Sequence, residues 1–158
     1  MSRRDQIRMS DAEQKKFLAD AQTIIICSQG PNGYPHPMPM WFAVEDDGAV
    51  VMTTFTKSQK IRNVERDPRV SLLAESGTVY SELRGVLIYG KAELVRDKEQ
   101  VLDVLARVSA KSAGGAGNAP DPGALRSALM ATVPKRTGIR IRPERVVSWD
   151  HRKLGGVY

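Results

Sequence analysis

Cysteine, histidine and aromatic residues are scarce in this 158-residue chain, and each scarcity excludes a class of function. The single cysteine, Cys27, rules out an intrachain disulfide and any multi-cysteine metal site. The two histidines, His36 and His151, lie in different segments, without metal-ligand spacing or a recognisable hydrolytic triad. No apolar run approaches the roughly 18 residues that span a membrane, and no secretory signal is recognisable. We therefore expect a cytoplasmic protein with no metal centre and no membrane partner.

The formal charge of +6 is concentrated in two segments, residues 57–69 and residues 135–153. Two separated basic segments indicate an anionic partner. A nucleic acid is not favoured, because nine aromatic residues interleave poorly with the basic stretches. A small cofactor with several negative charges is also compatible with the two basic segments. The apolar share of 41% and the length predict one domain over residues 1–158.

Short apolar runs separated by turn signals predict a mainly β, α+β fold: a small antiparallel barrel of six to seven strands with flanking helices. Alternating prolines at 35, 37 and 39 predict an edge strand, and glycines 85 and 90 predict bulges within a long strand. Ser10 and Glu13 form a capping box for a helix over residues 10–20. We expect a flexible loop at about residues 113–122. The predicted strands cover residues 23–28, 38–44, 50–54, 69–74, 83–95, 137–142 and 146–149, and further helices cover 97–111 and 123–133.

The segment 50–68 has the pattern of a buried strand, a polar turn and a short helix that ends before Asp67 and Pro68. Thr56 and Gln59 have capping-box spacing. Lys57 and Lys60 would lie one turn apart, facing each other, with no acidic residue three or four positions later. A helix N-terminus already carries positive partial charge, so two lysines there are unfavourable until an anion binds. The segment predicts a phosphate site; an exposed helix with solvated lysines is the alternative.

Met38, Met40 and Trp41 follow the prolines on the predicted edge strand. Such a strand beside a cationic turn suits a flat, amphipathic, phosphorylated ring system. Methionine and tryptophan in strands are also common core residues, and the pattern alone leaves both interpretations open.

Three segments in this order resemble the FMN-binding split-barrel superfamily, whose founding member is pyridoxamine 5′-phosphate oxidase. They are the Gly33–Trp41 region, the Thr54–Pro68 region and the strand from Arg84 to Ala92. The resemblance implies a split β-barrel and an obligate homodimer with two cofactor sites at its interface. In the oxidases the residue before the phosphate-binding lysine is usually arginine, whereas here it is Gln59. The chain is more similar to flavin/deazaflavin oxidoreductases that use coenzyme F420.

Carried over by position, the resemblance implies that Lys60 holds the cofactor phosphate. The positive charge of the C-terminal basic segment would also suit the oligoglutamate tail of F420, whereas FMN, with one phosphate, needs less charge. The implied neighbours of the phosphate are Lys57, Ser58 and Gln59, with Asn63 one turn further along the helix. The residues implied to line the ring are Met38, Pro39, Met40 and Trp41, and Thr53 and Thr54 would contact its polar edge. Tyr80 and Trp149 are further implied contacts, and Trp149 would come from the partner subunit.

The resemblance implies an F420H2-dependent oxidoreductase that transfers a hydride from the reduced deazaflavin to a small, electron-poor organic substrate. An FMN-dependent oxidase or reductase on the same barrel is the first alternative. A non-catalytic binder of a flavin, a deazaflavin or haem is the second. The sequence identifies no catalytic residue and no proton donor.

Overall fold

The computed structural model describes residues 2–114 and 121–156. All strand pairs are antiparallel, and the seven strands form one sheet in the order β2-β1-β5-β6-β7-β4-β3. The strands are β1 (Thr23–Gln29), β2 (Pro35–Trp41), β3 (Ala43–Val44), β4 (Val50–Phe55), β5 (Arg69–Ser76), β6 (Arg84–Val95) and β7 (Arg136–Asp150). The helices are α1 (Arg3–Gln6), α2 (Asp11–Asp20), α3 (Gln59–Arg66), α4 (Lys98–Gly114) and α5 (Pro122–Met130). The predicted antiparallel split barrel of the α+β class is confirmed.

Alternate residues of the strands form the core of the barrel, as the two-residue period of a strand requires. Ile24 and Ile26 of β1, Leu72 of β5 and Ile88 of β6 are at most 1% exposed. Helix α2 adds Phe17 and Leu18 to this core, and α3 adds Ile61 and Val64. Helix α4 packs on the other face of β4, where Val104 and Val108 contact Val51. The barrel therefore fixes α3 against its interior and leaves the N-terminal turn of α3 at the end of β4.

The predicted helix at residues 10–20 is confirmed with its cap, because Ser10 accepts from the Glu13 amide and Glu13 accepts from the Ser10 amide. The predicted edge position is confirmed, since β2 pairs only with β1 in the described sheet. The single strand predicted over 38–44 is wrong, because the chain leaves β2 at Phe42 and residues 43–44 form β3, which pairs with β4 at the other end of the sheet. Of the predicted flexible loop, residues 113 and 114 end α4 and Pro122 begins α5. Residues 115–120 lie outside the described residues.

Two predicted strands at the C-terminus are one continuous strand, β7, so that prediction of a break at Pro143 is wrong. The physical reason is a bulge in β7 where it pairs with β6. The register of β6 and β7 shifts between Tyr89 and Gly90, where Gly90 pairs with Pro143 and Tyr89 pairs with Arg145. This bulge leaves Glu144 as the additional residue, so a proline is accommodated without ending the ladder.

Candidate functional site

Helix α3 begins at the end of β4 without a side-chain cap. Ser58 is the N-cap residue with extended backbone angles (φ −69°, ψ 152°), yet its hydroxyl accepts no capping bond, and the first turn carries no acidic residue. The predicted capping box of Thr56 and Gln59 is therefore wrong, because the helix starts two residues later than that box requires. The first amides of a helix have no intrahelical acceptor and carry positive partial charge. This end of α3 is thus suited to an anion.

Lys60 lies in this first turn and is 7% exposed. Its Nζ donates to Oγ1 of Thr54 at 3.0 Å, and the Thr54 hydroxyl is 3.4 Å from the hydroxyl of Ser58. Burial lowers the pKa of the Lys60 ammonium below its usual 10.5, and no nearby charge opposes that shift. Within residues 2–114 and 121–156, no carboxylate forms an ion pair with it. The side chain is a buried lysine without a carboxylate partner among the described residues.

Lys57 differs from Lys60 in its burial and in its position relative to α3. It precedes α3, is exposed and forms no ion pair among the described residues. The prediction that the two lysines face each other across one helical turn is wrong, because only Lys60 belongs to the helix. The structure therefore separates a buried, fixed cation from an exposed one.

Asn63, one turn beyond Lys60, is completely buried and ties α3 to β1. Its Nδ2 donates to Oγ of Ser28 at 3.0 Å, and its Oδ1 accepts from Nε2 of Gln59 at 2.9 Å. Arg66 also donates to Oδ1 of Asn63, at 3.3 Å, and to the carbonyl of Gln29. The amide of Asn63 is thus engaged on both sides and sets the position of the first turn.

Sequence reasoning missed Ser28 and Arg66, although both had a detectable signal. Ser28 continues the inward-facing series of Ile24 and Ile26, so the two-residue period places its hydroxyl on the core side. Arg66 follows Asn63 by three residues, a spacing at which helical side chains meet. Neither pattern alone identifies the partner, since Ser28 and Asn63 are 35 positions apart.

The ring-lining residues proposed from the resemblance divide between two faces of the edge strand β2. Met38 and Met40 pair with Ile26 and Ile24 and lie on the core side. Pro39 and Trp41 alternate with them and lie on the opposite face, where Trp41 is 57% exposed. The same alternation separates Thr54, beside Lys60, from Thr53, on the other face of β4.

His36 stands on β2 directly opposite Ser28. Its Nδ1 atom is buried and has no hydrogen-bond partner among the described residues. A buried polar atom without a partner carries a desolvation cost. An unpaired ring nitrogen therefore lies across the strand pair from the hydroxyl that accepts from Asn63, which adds a second unfilled polar position to this end of the sheet.

Tyr80 and Trp149 are not brought to Lys60 within one chain. Thr54, the partner of Lys60, pairs with Thr137 near the start of β7, whereas Trp149 lies near the end of the same strand. The indole of Trp149 covers Gly85, where an added Cβ would be 2.3 Å from Cζ2 of the ring. The Tyr80 ring packs against that of His151, with 4.7 Å between ring centroids. Both aromatic residues thus belong to the far end of the β6–β7 ladder.

The C-terminal basic segment is largely neutralised by carboxylates. Four of its cations form ion pairs: Arg140 with Glu45, Arg142 with Glu93, Arg152 with Asp150, and Lys153 with Glu13. The Arg140 pair is bidentate and mostly buried, with distances of 2.8 and 2.9 Å. The net charge expected from the sequence is therefore reduced in the fold, since three of these four acids come from outside the segment.

The described residues contain no group of three or more histidine, cysteine, aspartate or glutamate side chains that could hold a metal ion. Among the described helices, none is long and apolar enough to cross a membrane.

An antiparallel split barrel with an uncapped, cationic helix start beside its core defines a class of small cofactor-binding barrels. The family model described as pyridoxamine 5′-phosphate oxidase matches residues 10–150, and the chain belongs to this family. No curated protein matches the chain at a significant level.

Solved structures share the fold. The conserved hypothetical protein Rv2991 from Mycobacterium tuberculosis is 39% identical, with 100% of this chain and 95% of that chain covered and a TM-score of 0.88. An F420 reductase is 22% identical, with 84% and 94% covered and a TM-score of 0.60. A FAD-binding protein from Mesorhizobium loti is 21% identical, with 89% and 94% covered and a TM-score of 0.64. The last two identities are low, so those similarities support the fold alone.

Proposed function

We propose that this chain is an F420H2-dependent oxidoreductase that acts on a small, electron-poor organic substrate. The observation that carries the proposal is the buried ammonium of Lys60 at the uncapped start of α3, with no carboxylate paired to it in the described residues. A phosphate supplies the missing charge and accepts from both the ammonium and the helix amides. Membership of the family described as pyridoxamine 5′-phosphate oxidase supports the general oxidoreductase role, and the F420 reductase has the same fold.

The residues present fit a phosphorylated cofactor. Lys60 would donate to the phosphate, and Ser58 with the amides of the first turn would supply further donors. Gln59 and Asn63 would hold the turn in place, because their side chains bond to each other at 2.9 Å. Lys57, being exposed, would contribute long-range attraction more than a fixed contact. The neutral Gln59 leaves one cation fewer at the phosphate than an arginine would provide.

A bound reduced deazaflavin supplies a hydride equivalent, and the protein supplies position. The side chains of β2 are mostly exposed, so Met38 and Met40 on one face offer an apolar surface to a ring. Thr54, which accepts a hydrogen bond from Lys60, would lie between the apolar surface of β2 and the phosphate of the cofactor. We assign no catalytic residue. The position of the reacting substrate atom is not defined, so no acid or base of the described chain can be placed beside it.

We propose further that the active unit is a homodimer. On the sheet face opposite the core, Ile25, Leu73, Leu87 and Val147 are in direct register on four adjacent strands, and all four are only partly buried. Such a continuous apolar row favours association with a second copy. Tyr80 and Trp149, remote from Lys60 in their own chain, would then complete the site of the partner.

An FMN-dependent oxidase or reductase is the second candidate, and the ion pairs of the C-terminal segment favour it. Four cations that could meet an oligoglutamate tail are already paired with carboxylates. FMN carries one phosphate and needs no tail site, so the turn at Lys60 is sufficient for it.

Fluorescence titration of the apo protein with F420 and with FMN distinguishes the candidates. Trp41 is 57% exposed on the opposite face of β2 from the proposed ring surface, so the fluorescence of the added cofactor is followed together with that of tryptophan. The proposal expects tighter binding of F420, followed by reoxidation of F420H2 when electron-poor acceptors are added. Preferential binding of FMN would support the second candidate, and F420 binding without reoxidation by any acceptor would indicate a carrier. Binding of neither would contradict both.

A further inference from the structure

A second cavity lies away from the site at Lys60, between α2, the turn after β3 and α4. Its volume is about 770 Å³. Leu18, Ala19, Val44, Ile88 and Val146 form its apolar wall, and two lysines line it, Lys15 of α2 and Lys111 of α4. None of these residues takes part in the proposed cofactor site.

The environment of Lys111 is unusual for a lysine. Its Nζ lies 3.5 Å from the ring centroid of Phe42, which is 1% exposed, and donates to the carbonyl of Leu18 at 2.9 Å. It forms no ion pair with a carboxylate among the described residues. An ammonium group has three donors, so one carbonyl and one ring face leave it incompletely satisfied.

We propose that Lys111 is the nucleophile of a second ligand site that captures small apolar aldehydes. The neutral amine adds to the carbonyl carbon, and the resulting carbinolamine loses water to leave an imine between Nζ and the aldehyde carbon. The oxygen of the released water comes from the aldehyde and both of its hydrogens come from the amine, so no oxidant or reductant is needed. The apolar wall of the cavity would hold the hydrocarbon part of the ligand, since burying it there removes it from water.

The protonation of Lys111 agrees with this role. Burial lowers its pKa to about 8, against an opposing attraction from Asp20. The other charged groups that line the cavity are two cations, Lys15 on α2 and Arg107 on α4, and four carboxylates: Asp11 on α2, and Glu45, Asp46 and Asp47 after β3. A substantial neutral fraction near pH 7.5 follows, whereas an ordinary lysine is almost fully protonated there.

Reductive alkylation of the intact protein tests the proposal. The protein is treated at about pH 7.5 with formaldehyde or butyraldehyde and cyanoborohydride, and the modification rate of each lysine is measured by peptide mass spectrometry. Saturating FMN or phosphate is included so that Lys60 is protected. We expect Lys111 to react roughly tenfold faster than the exposed Lys98, and the advantage to be larger for butyraldehyde than for formaldehyde.

Two variants of α2 separate the cavity from the amine. Ala19→Phe places a ring at the cavity wall from an exposed position, and Ala12→Phe places the same ring elsewhere on the exposed surface of α2. The first should abolish the added advantage for butyraldehyde, and the second should not. Reaction of Lys111 no faster than Lys98, or an advantage that is equal for the two aldehydes, would overturn the proposal.

Discussion

The Nζ atom of Lys60 lies 3.0 Å from Oγ1 of Thr54, so the end of β4 and the first turn of α3 hold one buried cation between them. The bond joins the strand to the helix across the uncapped turn at Ser58. A hydroxyl is a weak partner for an ammonium group in this setting, because it brings no opposite charge. An anion would therefore be stabilised at the first turn of α3, beside the ammonium group of Lys60.

Replacing Lys60 by methionine should weaken cofactor binding without weakening the fold. The lost charge-assisted bond is expected to raise the dissociation constant roughly tenfold to a hundredfold. Because an uncompensated buried cation is removed, the free energy of unfolding should fall by less than about 1 kcal/mol or should rise. Isothermal titration and urea denaturation measure the two quantities.

Lys57→Met is the matched control for that variant. Lys57 is exposed and outside the helix, so its loss should change the dissociation constant by less than about threefold at physiological salt. An equal rise in the dissociation constant for Lys57→Met and Lys60→Met would contradict the assignment of the phosphate contact to Lys60.

Gly85→Ala should displace the indole of Trp149. The new Cβ would lie 2.3 Å from Cζ2 of Trp149, which is below any contact distance, so the ring must move at a cost of about 1 to 3 kcal/mol in stability. Gly114→Ala is the control, since open space surrounds that helical position and the change should gain up to about 1 kcal/mol. Urea denaturation followed by tryptophan emission checks both, and an unaltered emission spectrum of the native Gly85→Ala protein would contradict the placement of Trp149.

Leu87→Asp should convert the dimer into monomers. The carboxylate would enter the apolar row between Leu73 and Val147, where no cation is opposite it in register. Val146→Asp introduces the same charge on the other face of β7 and should leave the dimer intact. Sedimentation at micromolar concentration is the measurement, and an intact Leu87→Asp dimer would place the interface elsewhere.

The stability of the protein should rise with pH through the range set by Lys111. Its pKa is about 8 in the folded chain and near 10.5 when unfolded, so between these values the unfolded state holds more protons. The free energy of unfolding therefore increases from about pH 8 upwards, and below pH 8 the full penalty of the buried ammonium is present. Urea denaturation at pH 7 and pH 9.5 should show a larger rise in the parent than in Lys111→Met, in which the lowered pKa of Lys60 still contributes. Lys98→Met, at an exposed position, should behave like the parent, and parallel curves for Lys111→Met and the parent would contradict the shift.

Most strands could be predicted because each depends on a local pattern. The alternating prolines of β2 and the apolar run of β4 both predicted their elements, and the capping box at Ser10 predicted the start of α2. The start of α3 could not be fixed in the same way, because Thr56 and Ser58 both offer a hydroxyl within two residues. Only the fold decides between them.

Properties that depend on distant partners were beyond the sequence. The continuity of β7 past Pro143 depends on a bulge at Glu144, which forms against Tyr89 and Gly90 of another strand. The neutralisation of Arg140 depends on Glu45, 95 positions away. Lys57 and Lys60 lie in one short basic segment and look alike in the sequence. Only the packing of α3 on the barrel exposes the first and buries the second.

A crystal structure of the protein with F420 or FMN bound tests the central claim most directly. We expect a phosphate oxygen within about 3 Å of Nζ of Lys60, at the first turn of α3, with the ring directed towards β2. A cofactor bound at any other place, with the Lys60–Thr54 bond unchanged and no anion at the helix start, would contradict it.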